Sequence, residues 1–403
     1  MFSILPAALV LFVLASLFKI SFIYNVSYVL FGVYVLAALW SRRSLTDLRC
    51  RRRYQERALL GDVVTVTLEV QNRGWLPVPW VQFHDRLPLA LISPPFYRTL
   101  VSLQPRETRT FSYELHCRQR GWYQIGPLTA QLGDVFGLND RHQDFSAGAQ
   151  LTVYPKILPI DELGLPSKSP FGHLRTRQLL YEDPSRVIGV REYQSGDSLR
   201  NVNWKVTASS GRLQVKKLEP AMTLETVVLL NLNTTEYNRS YVYSASEMAI
   251  VVAASIANHL ASLRQEVGLL TNGIDPADPH VGALAGYLPR KGRAQLASIL
   301  ELLGRVTVVA EQPFLPALRA EVKRLPWGAT LVVVTPRETE ELLETALPLR
   351  RAGFNVVLIY VDYPNPEPFE AAHQRAAMLG MRAHRVWREE DVDVWRRQVQ
   401  SAV

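Results

Sequence analysis

The chain has 403 residues, and its 45 lysines and arginines against 37 acidic residues give it a net charge of +8. This length exceeds one ordinary hydrophobic core, so two or three domains are expected. The two cysteines, Cys50 and Cys117, provide no disulfide framework and suit a reducing compartment. The positive charge is concentrated in one short stretch, which argues against a nucleic-acid-binding protein with a basic folded face.

Two apolar runs begin the chain, over residues 4–18 and residues 22–40. Each is near the length of roughly 17–25 residues that crosses a bilayer as a helix. Only a tight turn fits between them, and Trp40 has the amphipathic ring that is typical of a membrane interface. The sequence therefore predicts a two-helix transmembrane hairpin over residues 1–41. A cleaved signal peptide, one bent span and a re-entrant loop are the alternatives.

A basic juxtamembrane segment follows over residues 42–57. Its seven arginines are offset only by Asp47 and Glu56, so the segment carries +5 of the net charge of +8. Arginine-rich ends of membrane spans face the cytoplasm, which places the N-terminus and the soluble domains there, at the cell membrane. Arg42–Arg57 either lie against anionic headgroups of the lipid bilayer or act only as a topology signal.

The hydrophobic pattern changes to period two after residue 58. Across most of the run after Gly61-Asp62, apolar residues alternate with Thr65, Thr67 and Glu69, as is typical of a half-buried strand. The apolar residues are Val63, Val64, Val66, Leu68 and Val70. Further strand candidates, separated by proline and glycine, are residues 78–84, 98–103, 108–117, 121–132 and 149–154. Short strands at this spacing predict an antiparallel β-sandwich over residues 58–155.

Residues 156–185 contain scattered proline, glycine and serine without any period, so they are predicted to be a linker. The next segment, residues 186–221, holds an unusual concentration of distinctive side chains: Tyr193, Gly196, Asp197, Arg200 and Trp204. Asp197 and Arg200 are three residues apart, so we expect them to pair, with Trp204 packed beneath them. Such a segment is a buried tie between domains, a docking face for a partner, or a catalytic element.

Residues 222–403 alternate apolar runs with helical patterns. The strand candidates are residues 226–232, 267–270, 329–335, 355–361 and 382–387, and the helix candidates are residues 244–264, 293–304, 312–324, 337–352 and 367–380. Continuous apolar strands separated by helices predict an α/β domain with an open parallel sheet that is covered on both faces. Ligands on such sheets bind at the carboxyl ends of the strands.

Common enzyme motifs are missing from the sequence. It contains no phosphate-binding Gly-x-x-x-x-Gly-Lys-Ser/Thr loop, no Gly-x-Ser-x-Gly elbow and no His-Glu-x-x-His pair. His116 and Cys117 are adjacent on a predicted strand and face opposite ways, which is unsuitable for a nucleophile and its base. No catalytic residue and no cofactor are therefore predicted.

The segment from Tyr193 to Trp204 resembles the signature of the domain-of-unknown-function 58 family, which reads roughly YxxGDxxRxIxW. Two stretches of the β-domain, Arg120–Pro127 and Gly133–Leu138, resemble further motifs of that family. The resemblance covers nearly the whole chain. It implies a membrane hairpin, a β-domain and a von Willebrand factor A-like (vWA-like) domain, the last over residues 222–403.

The resemblance also implies where a metal would bind. Metal-binding vWA domains carry Asp-x-Ser-x-Ser after the first strand, because a divalent ion needs hard oxygen ligands. The matching positions here are Asn231, Asn233 and Thr235, and Thr335-Pro336 stands where a Ser/Thr-Asp pair usually ends the central strand. The anionic ligands are missing, so the resemblance implies a degenerate vWA-like domain without metal.

The first functional hypothesis is a membrane-anchored interaction or adaptor protein that faces the cytoplasm and is not an enzyme. Members of the family are often encoded beside MoxR-type AAA ATPases, so the resemblance implies such an ATPase as protein partner, and no nucleic acid. A divalent-metal-dependent vWA binding domain is the second hypothesis. A factor or enzyme of cell-envelope assembly is the third.

Overall fold

A computed structural model describes residues 4–19, 21–92, 94–133, 140–146, 148–160, 182–194, 197–220, 225–278, 284–310, 312–325 and 328–393. The chain divides into two compact units. The first comprises Met1–Lys156 with Ile274–His280 and Leu300–Thr307, and the second comprises Ile157–Gly273, Val281–Ile299 and Val308–Val403.

The chain begins with two helices, α1 (Ile4–Phe18) and α2 (Ser21–Thr46). Among the described residues, α2 alone is long and apolar enough to cross a membrane, by length and composition. Helix α1 has 15 residues and packs on α2 through Phe12 and Tyr24, whose ring centroids are 5.7 Å apart. One candidate span is therefore supported, and the second stays a prediction.

Ten strands follow in the first unit: β1 (Leu48–Arg53), β2 (Arg57–Leu59), β3 (Val63–Asn72), β4 (Val78–Arg86), β5 (Phe96–Leu103), β6 (Thr108–His116), β7 (Gly121–Ile125), β8 (Leu128–Gly133), β9 (Asp140–Ser146) and β10 (Ala149–Tyr154). They form three sheets with the orders β1-β3-β6, β2-β10-β7 and β5-β4-β8-β9. The sheets share one hydrophobic core, into which β3 directs Val64, Val66, Leu68 and Val70. All described pairings here are antiparallel except that of β2 with β10.

Two stretches differ from the sequence-based prediction. The strand predicted over residues 121–132 is two strands, because Gly126 has a positive φ of 101° and Pro127 has no backbone N–H for a ladder. Residues 42–57 are folded as the end of α2, as β1 and as the start of β2. Their charged side chains conceal strand periodicity, because Leu48 is the one aliphatic residue of β1 and the other less exposed positions hold Cys50 and Arg52.

The second unit begins with a hairpin that carries the predicted signature. Strands β11 (Glu182–Glu192) and β12 (Gln214–Pro220) pair antiparallel, and helix α3 (Trp204–Ser210) lies in the connection after a single 3₁₀ turn, Leu199–Asn201. We call residues 182–220 the signature element; Ser195 and Gly196 lie outside the described residues.

A six-stranded sheet follows. Its strands are β13 (Glu225–Leu230), β14 (Glu266–Thr271), β15 (Ala285–Arg290), β16 (Thr330–Thr335), β17 (Asn355–Tyr360) and β18 (Arg382–Arg385), and its helices are α4 (Val242–Ser262), α5 (Arg293–Arg305), α6 (Phe314–Glu321), α7 (Glu340–Arg351) and α8 (Pro366–Met378). The order is β15-β14-β13-β16-β17-β18, with β15 antiparallel at one edge and the other neighbours parallel. Sequence patterns missed β15, which contains Gly286 and Pro289.

Both faces of this sheet are covered, as the continuous apolar strands predict. One face packs against α6, α7 and α8 in a core that includes Val227, Val333 and Leu358. Helix α4 lies against β13, β14 and β16 and contributes nothing to that core, so it covers the opposite face. The chain crosses from β13 to β14 on one side and from β16 to β17 on the other. The carboxyl ends of β13 and β16 therefore form the topological switch point, where open α/β sheets bind ligands.

Candidate functional site

Polar side chains gather at the switch point, where the strands end. Asn231 and Asn233 follow β13, Asn272 follows β14, Thr335 ends β16, and all four are buried. Asn231 Nδ2 lies 3.3 Å from Thr335 Oγ1. Three of the four positions that the resemblance assigned to a degenerate metal site are thus buried at one edge, and the fourth, Thr235, is exposed but bonded to Asn233.

Glu236 is part of this cluster, and the sequence reasoning missed it. Asn231 Nδ2 donates to Glu236 Oε2 at 2.8 Å, and Asn233 Nδ2 donates to Glu236 Oε1 at 3.2 Å. A carboxylate only accepts hydrogen bonds, so both amides must direct their nitrogen toward it. We call Asn231, Asn233 and Glu236 the amide clasp. The available signal was an acidic residue directly after the altered Asp-x-Ser-x-Ser positions.

The oxygens of the clasp amides are occupied as well. Asn231 Oδ1 accepts hydrogen bonds from Asn233 N at 3.1 Å and from Asn272 Nδ2 at 3.3 Å. Asn233 Oδ1 accepts from the backbone nitrogen and the hydroxyl of Thr235, at 3.2 Å and 2.9 Å. In the part of the chain that the structure describes, no group of three or more His, Cys, Asp or Glu side chains is placed to hold a metal ion. The residues do not fit a divalent cation, because N–H and O–H donors already surround the ligand oxygens.

The neighbouring charges are also in internal contacts. Asp362, fully buried after β17, pairs with Arg337 at 3.1 Å and accepts a 2.6 Å hydrogen bond from the backbone nitrogen of Asn238. The Tyr237 hydroxyl donates to the Asn231 carbonyl at 2.7 Å. Burial, and then the charges of Glu236 and Asp362, raise the pKa of Tyr237. Tyr237 is therefore a protonated hydrogen-bond donor at neutral pH rather than a general base.

The signature element is organised around a different ion pair from the one expected. Arg191, near the end of β11, binds both carboxylate oxygens of Asp197 at 2.7 Å, and the backbone nitrogen of Gln194 donates to Asp197 at 2.8 Å. The hydrogen bonds from Arg191 and then from Gln194 hold the pKa of Asp197 below its usual range. The predicted pair of Asp197 with Arg200 is wrong, because both carboxylate oxygens of Asp197 are bonded to Arg191 of β11.

The same element exposes its largest apolar side chain. Trp204 is 67% exposed at the first position of α3, and Leu199 is 64% exposed. The expectation that Trp204 packs beneath an ion pair is therefore wrong. Asn203 caps α3 by accepting a hydrogen bond from the backbone nitrogen of Val206 at 3.3 Å. Tyr193 is half-buried, and its backbone nitrogen donates to the carbonyl of Leu213.

Charge on this surface is unbalanced. Between residues 189 and 216 the acidic residues are Glu192 and Asp197, and each is paired with an arginine, Arg212 and Arg191 respectively. The remaining basic residues of this stretch are Arg200, Lys205 and Lys216. The exposed surface around Trp204 therefore combines apolar side chains with excess positive charge.

The first β-domain motif has a structural role. Arg120 Nη1 donates to the carbonyl of Leu303, in the last turn of α5, at 3.1 Å and to that of Val306, directly after α5, at 2.8 Å, so it caps the end of this helix. Of the second motif, Asp134–Leu138 lie outside the described residues.

Comparison with known proteins supports the resemblance read from the sequence. Residues 189–309 match the sequence profile of the family described as "Protein of unknown function DUF58". A Bacillus subtilis (strain 168) protein, "Uncharacterized protein YeaD", is 25% identical over 317 residues, which cover 77% of this chain and 75% of the relative.

The similarity of this chain to solved structures is weak. The CARDB domain of a Pyrococcus furiosus protein, solved with di-metal ions, is 18% identical and covers 27% of this chain and 92% of its own length at a TM-score of 0.20. A cohesin module from a Clostridium perfringens glycoside hydrolase is 12% identical and covers 26% of this chain and 96% of its own length at a TM-score of 0.22. Scores this low imply nothing about fold or ligands. The matched segment, by contrast, includes Tyr193, Asp197, Arg200 and Trp204, so residues 189–309 are similar to the DUF58 family.

Proposed function

We propose that this chain is a membrane-anchored, non-catalytic adaptor whose signature element docks a protein partner in the cytoplasm. The observation that carries the proposal is the exposure of Trp204, at 67%, beside an ion pair that is complete within the element. A tryptophan that only stabilised the fold would be buried, because burial of an aromatic side chain is the main stabilisation that it offers. Tryptophan and arginine are also the residues most enriched at binding hot spots.

Membrane anchoring by two spans, with the N-terminus and the soluble domains in the cytoplasm, is part of the proposal. Helix α2 leaves large apolar side chains exposed along its length, including Phe22, Val29, Leu36 and Leu39. An apolar surface of this kind requires lipid or protein cover. The arginines at and after the end of α2 favour a cytoplasmic location for that end.

The six-stranded sheet supports a vWA-like assignment of the second unit, and the amide clasp supports a form that works without metal. The clasp holds the loop after β13 by hydrogen bonds between neutral amides and one carboxylate. In this proposal, no divalent ion is needed to hold the loop at this edge of the sheet. The docking role falls to the signature element.

The partner surface is expected to be apolar and acidic. Trp204 and Leu199 require an apolar pocket, and Arg200 and Lys205 require carboxylates around it. The family resemblance implies a MoxR-type AAA ATPase as the partner. The rim charges would mainly set the association rate and its salt dependence, and the buried tryptophan would set the dissociation rate.

The test is an affinity purification of the full chain from detergent extracts, read by mass spectrometry. Trp204→Ala is compared with Tyr243→Ala, which removes an aromatic side chain of similar exposure, 66%, outside the signature element. A hot-spot tryptophan contributes at least about 2 kcal/mol, which corresponds to roughly 30-fold weaker binding. We expect the ATPase to be lost with Trp204→Ala only, with unchanged melting temperatures of both variants.

Three outcomes would contradict the proposal. Absence of any ATPase above background would remove the named partner. Equal capture by wild type and Trp204→Ala would remove the docking role of the signature element. A melting temperature lowered by Trp204→Ala, with the partner retained, would make Trp204 a structural residue.

A further inference from the structure

The backbone of the loop between β3 and β4, residues 73–77, is held by the side chain of Asn72. Asn72, fully buried, accepts a hydrogen bond from the backbone nitrogen of Gly74 at 3.0 Å. Its Nδ2 donates to the carbonyls of Leu76 at 2.8 Å and Gln104 at 3.1 Å. One buried side chain thus holds both ends of the loop.

This loop also lies against the end of α2. Trp40 Nε1 donates to the carbonyl of Pro77 at 3.0 Å, and the backbone nitrogen of Arg73 donates to the carbonyl of Asp47 at 2.9 Å. Gly74 approaches Asp47 so closely that a Cβ at Gly74 would lie 2.7 Å from Asp47 Oδ2. The loop is therefore fixed to the last turns of the candidate membrane helix.

The side chain at the tip of this loop is directed outward. Trp75 is 71% exposed although the backbone around it is fixed. Arg73 is exposed on the same loop, and Arg42 is exposed on the adjoining end of α2. A single exposed apolar residue needs no explanation by itself. What needs explanation here is the location of Trp75, beside the tryptophan that marks the end of the apolar helix.

We propose that Trp75 inserts into the headgroup region of the bilayer, so that the β3–β4 loop forms a second membrane contact beside α2. This inference rests on the proposed membrane anchoring. Tryptophan concentrates at membrane–water interfaces because its ring is apolar and its N–H remains hydrated. The Trp40 N–H donates its hydrogen bond to the loop, so the end of α2 and the loop would lie together at the membrane interface. Arg42 and Arg73 are both exposed and supply positive charge to anionic headgroups.

The bilayer is the favoured occupant because this loop is hydrogen-bonded to the end of the candidate membrane helix. The chain leaves the apolar part of α2 at Trp40, and Trp75 stands two residues from the Pro77 carbonyl that Trp40 binds. A protein partner at the same place would have to compete with headgroups. The consequence is functional: two contacts would restrict the tilt of the β-domain on the membrane, whereas one helix would allow it to swing.

The experiment measures lipid contact at three labelled positions of the full chain in phosphatidylcholine–phosphatidylglycerol vesicles. An environment-sensitive fluorophore is attached to Trp75→Cys, Leu36→Cys and Val63→Cys, and quenching by lipids with doxyl groups near the headgroup or deep in the acyl chain is compared. Leu36 is exposed on α2 and reports the anchor. Val63 is the matched control, because it is exposed at the opposite end of β3, about 30 Å along the strand from Asn72. Wild type, whose Cys117 is buried and Cys50 half-buried, measures background labelling.

We expect the Leu36 label to be quenched by deep doxyl groups, the Trp75 label by shallow ones, and the Val63 label by neither. A Trp75 label that behaves like the Val63 label, with Leu36 still quenched, would overturn the loop contact and leave the anchor intact. Quenching at none of the three positions would overturn the anchor and the loop contact together. Equal quenching at Trp75 and Val63 would show a β-domain that lies flat on the bilayer, which also contradicts a contact confined to the loop.

Discussion

Replacement of Arg52 by methionine should unfold the β-domain at a much lower temperature than wild type. The basic segment as a whole was expected to face lipid headgroups, but Arg52 is only 4% exposed and is paired with Asp85, which is fully buried. Arg52 Nη2 lies 2.5 Å from Asp85 Oδ1, and Arg52 Nη1 donates to the Ile125 carbonyl at 3.2 Å. The Tyr113 hydroxyl donates to Asp85 Oδ2 at 2.7 Å.

The size of the stability loss depends on whether the substitution leaves a buried charge without a partner. Without Arg52, the Asp85 carboxylate stays buried with one side-chain donor, Tyr113, and an unpaired buried charge of this kind costs about 3–5 kcal/mol. For a unit of this size, about 2–4 °C is lost per kcal/mol, so the melting temperature should fall by roughly 6–20 °C. The double variant Arg52→Met/Asp85→Leu removes both charges. It should recover most of the loss, because a buried pair is often close to neutral relative to apolar residues.

Native-state hydrogen exchange of β3 and β4 amides in detergent micelles measures this effect locally, separately from the second unit. Arg53→Met is the matched control, since Arg53 is exposed and pairs with Glu69 at the surface. It should change stability by less than about 1 kcal/mol. The reasoning would be refuted if Arg52→Met were no worse than Arg53→Met, or if the losses of the two single substitutions simply added in the double variant.

Three other predictions concern the site, pH and thiols. Calorimetric titration of wild type with Mg²⁺ or Mn²⁺ should give no binding heat. Asn231→Asp should lower the melting temperature, because a second carboxylate would face Glu236, and Mg²⁺ or Mn²⁺ should restore it. Binding of either ion by wild type would contradict the conclusion that the amide clasp works without metal. Burial, then the charges of His373 and Arg382, lower the pKa of His384 to about 4 from its ordinary 6.5. The folded state therefore binds fewer protons than the unfolded state between those values, and stability should fall by at most about 3 kcal/mol as pH drops from 6.5 to 4. His384→Gln should flatten this dependence in urea titrations, and an unchanged slope would show that another group is responsible. Burial raises the pKa of Cys50 to about 12 from 9.0, so iodoacetamide should alkylate it about a thousand-fold more slowly than a free thiol at neutral pH, and fast alkylation of folded protein would contradict its burial.

Local patterns predicted the β-domain strands and the α/β half well because their physical causes are local. In β3, the structure buries Val64, Val66, Leu68 and Val70, the residues that alternate, and leaves Val63 exposed where the alternation breaks. The apolar runs of β13, β16 and β17 identify strands that are covered on both faces. Strand β9 and strand β1 were missed because their sequences, Asp140–Ser146 and Leu48–Arg53, contain few apolar residues. Their place in a sheet depends on backbone pairing with β8 and β3.

The sequence by itself determined which kinds of element form and which family the signature resembles, since periodicity and the signature from Tyr193 to Trp204 are properties of neighbouring residues. Only the tertiary structure decided which charges meet. Asp197 pairs with Arg191 rather than Arg200, and Arg52 turns inward to Asp85 although its neighbours Arg51 and Arg53 are exposed. Partners of this kind are set by turns and by sheet pairing between distant segments, with 33 residues separating Arg52 from Asp85. The amide clasp and the loop that presents Trp75 were also decided only by the tertiary structure, because both depend on which ends of strands and helices lie side by side.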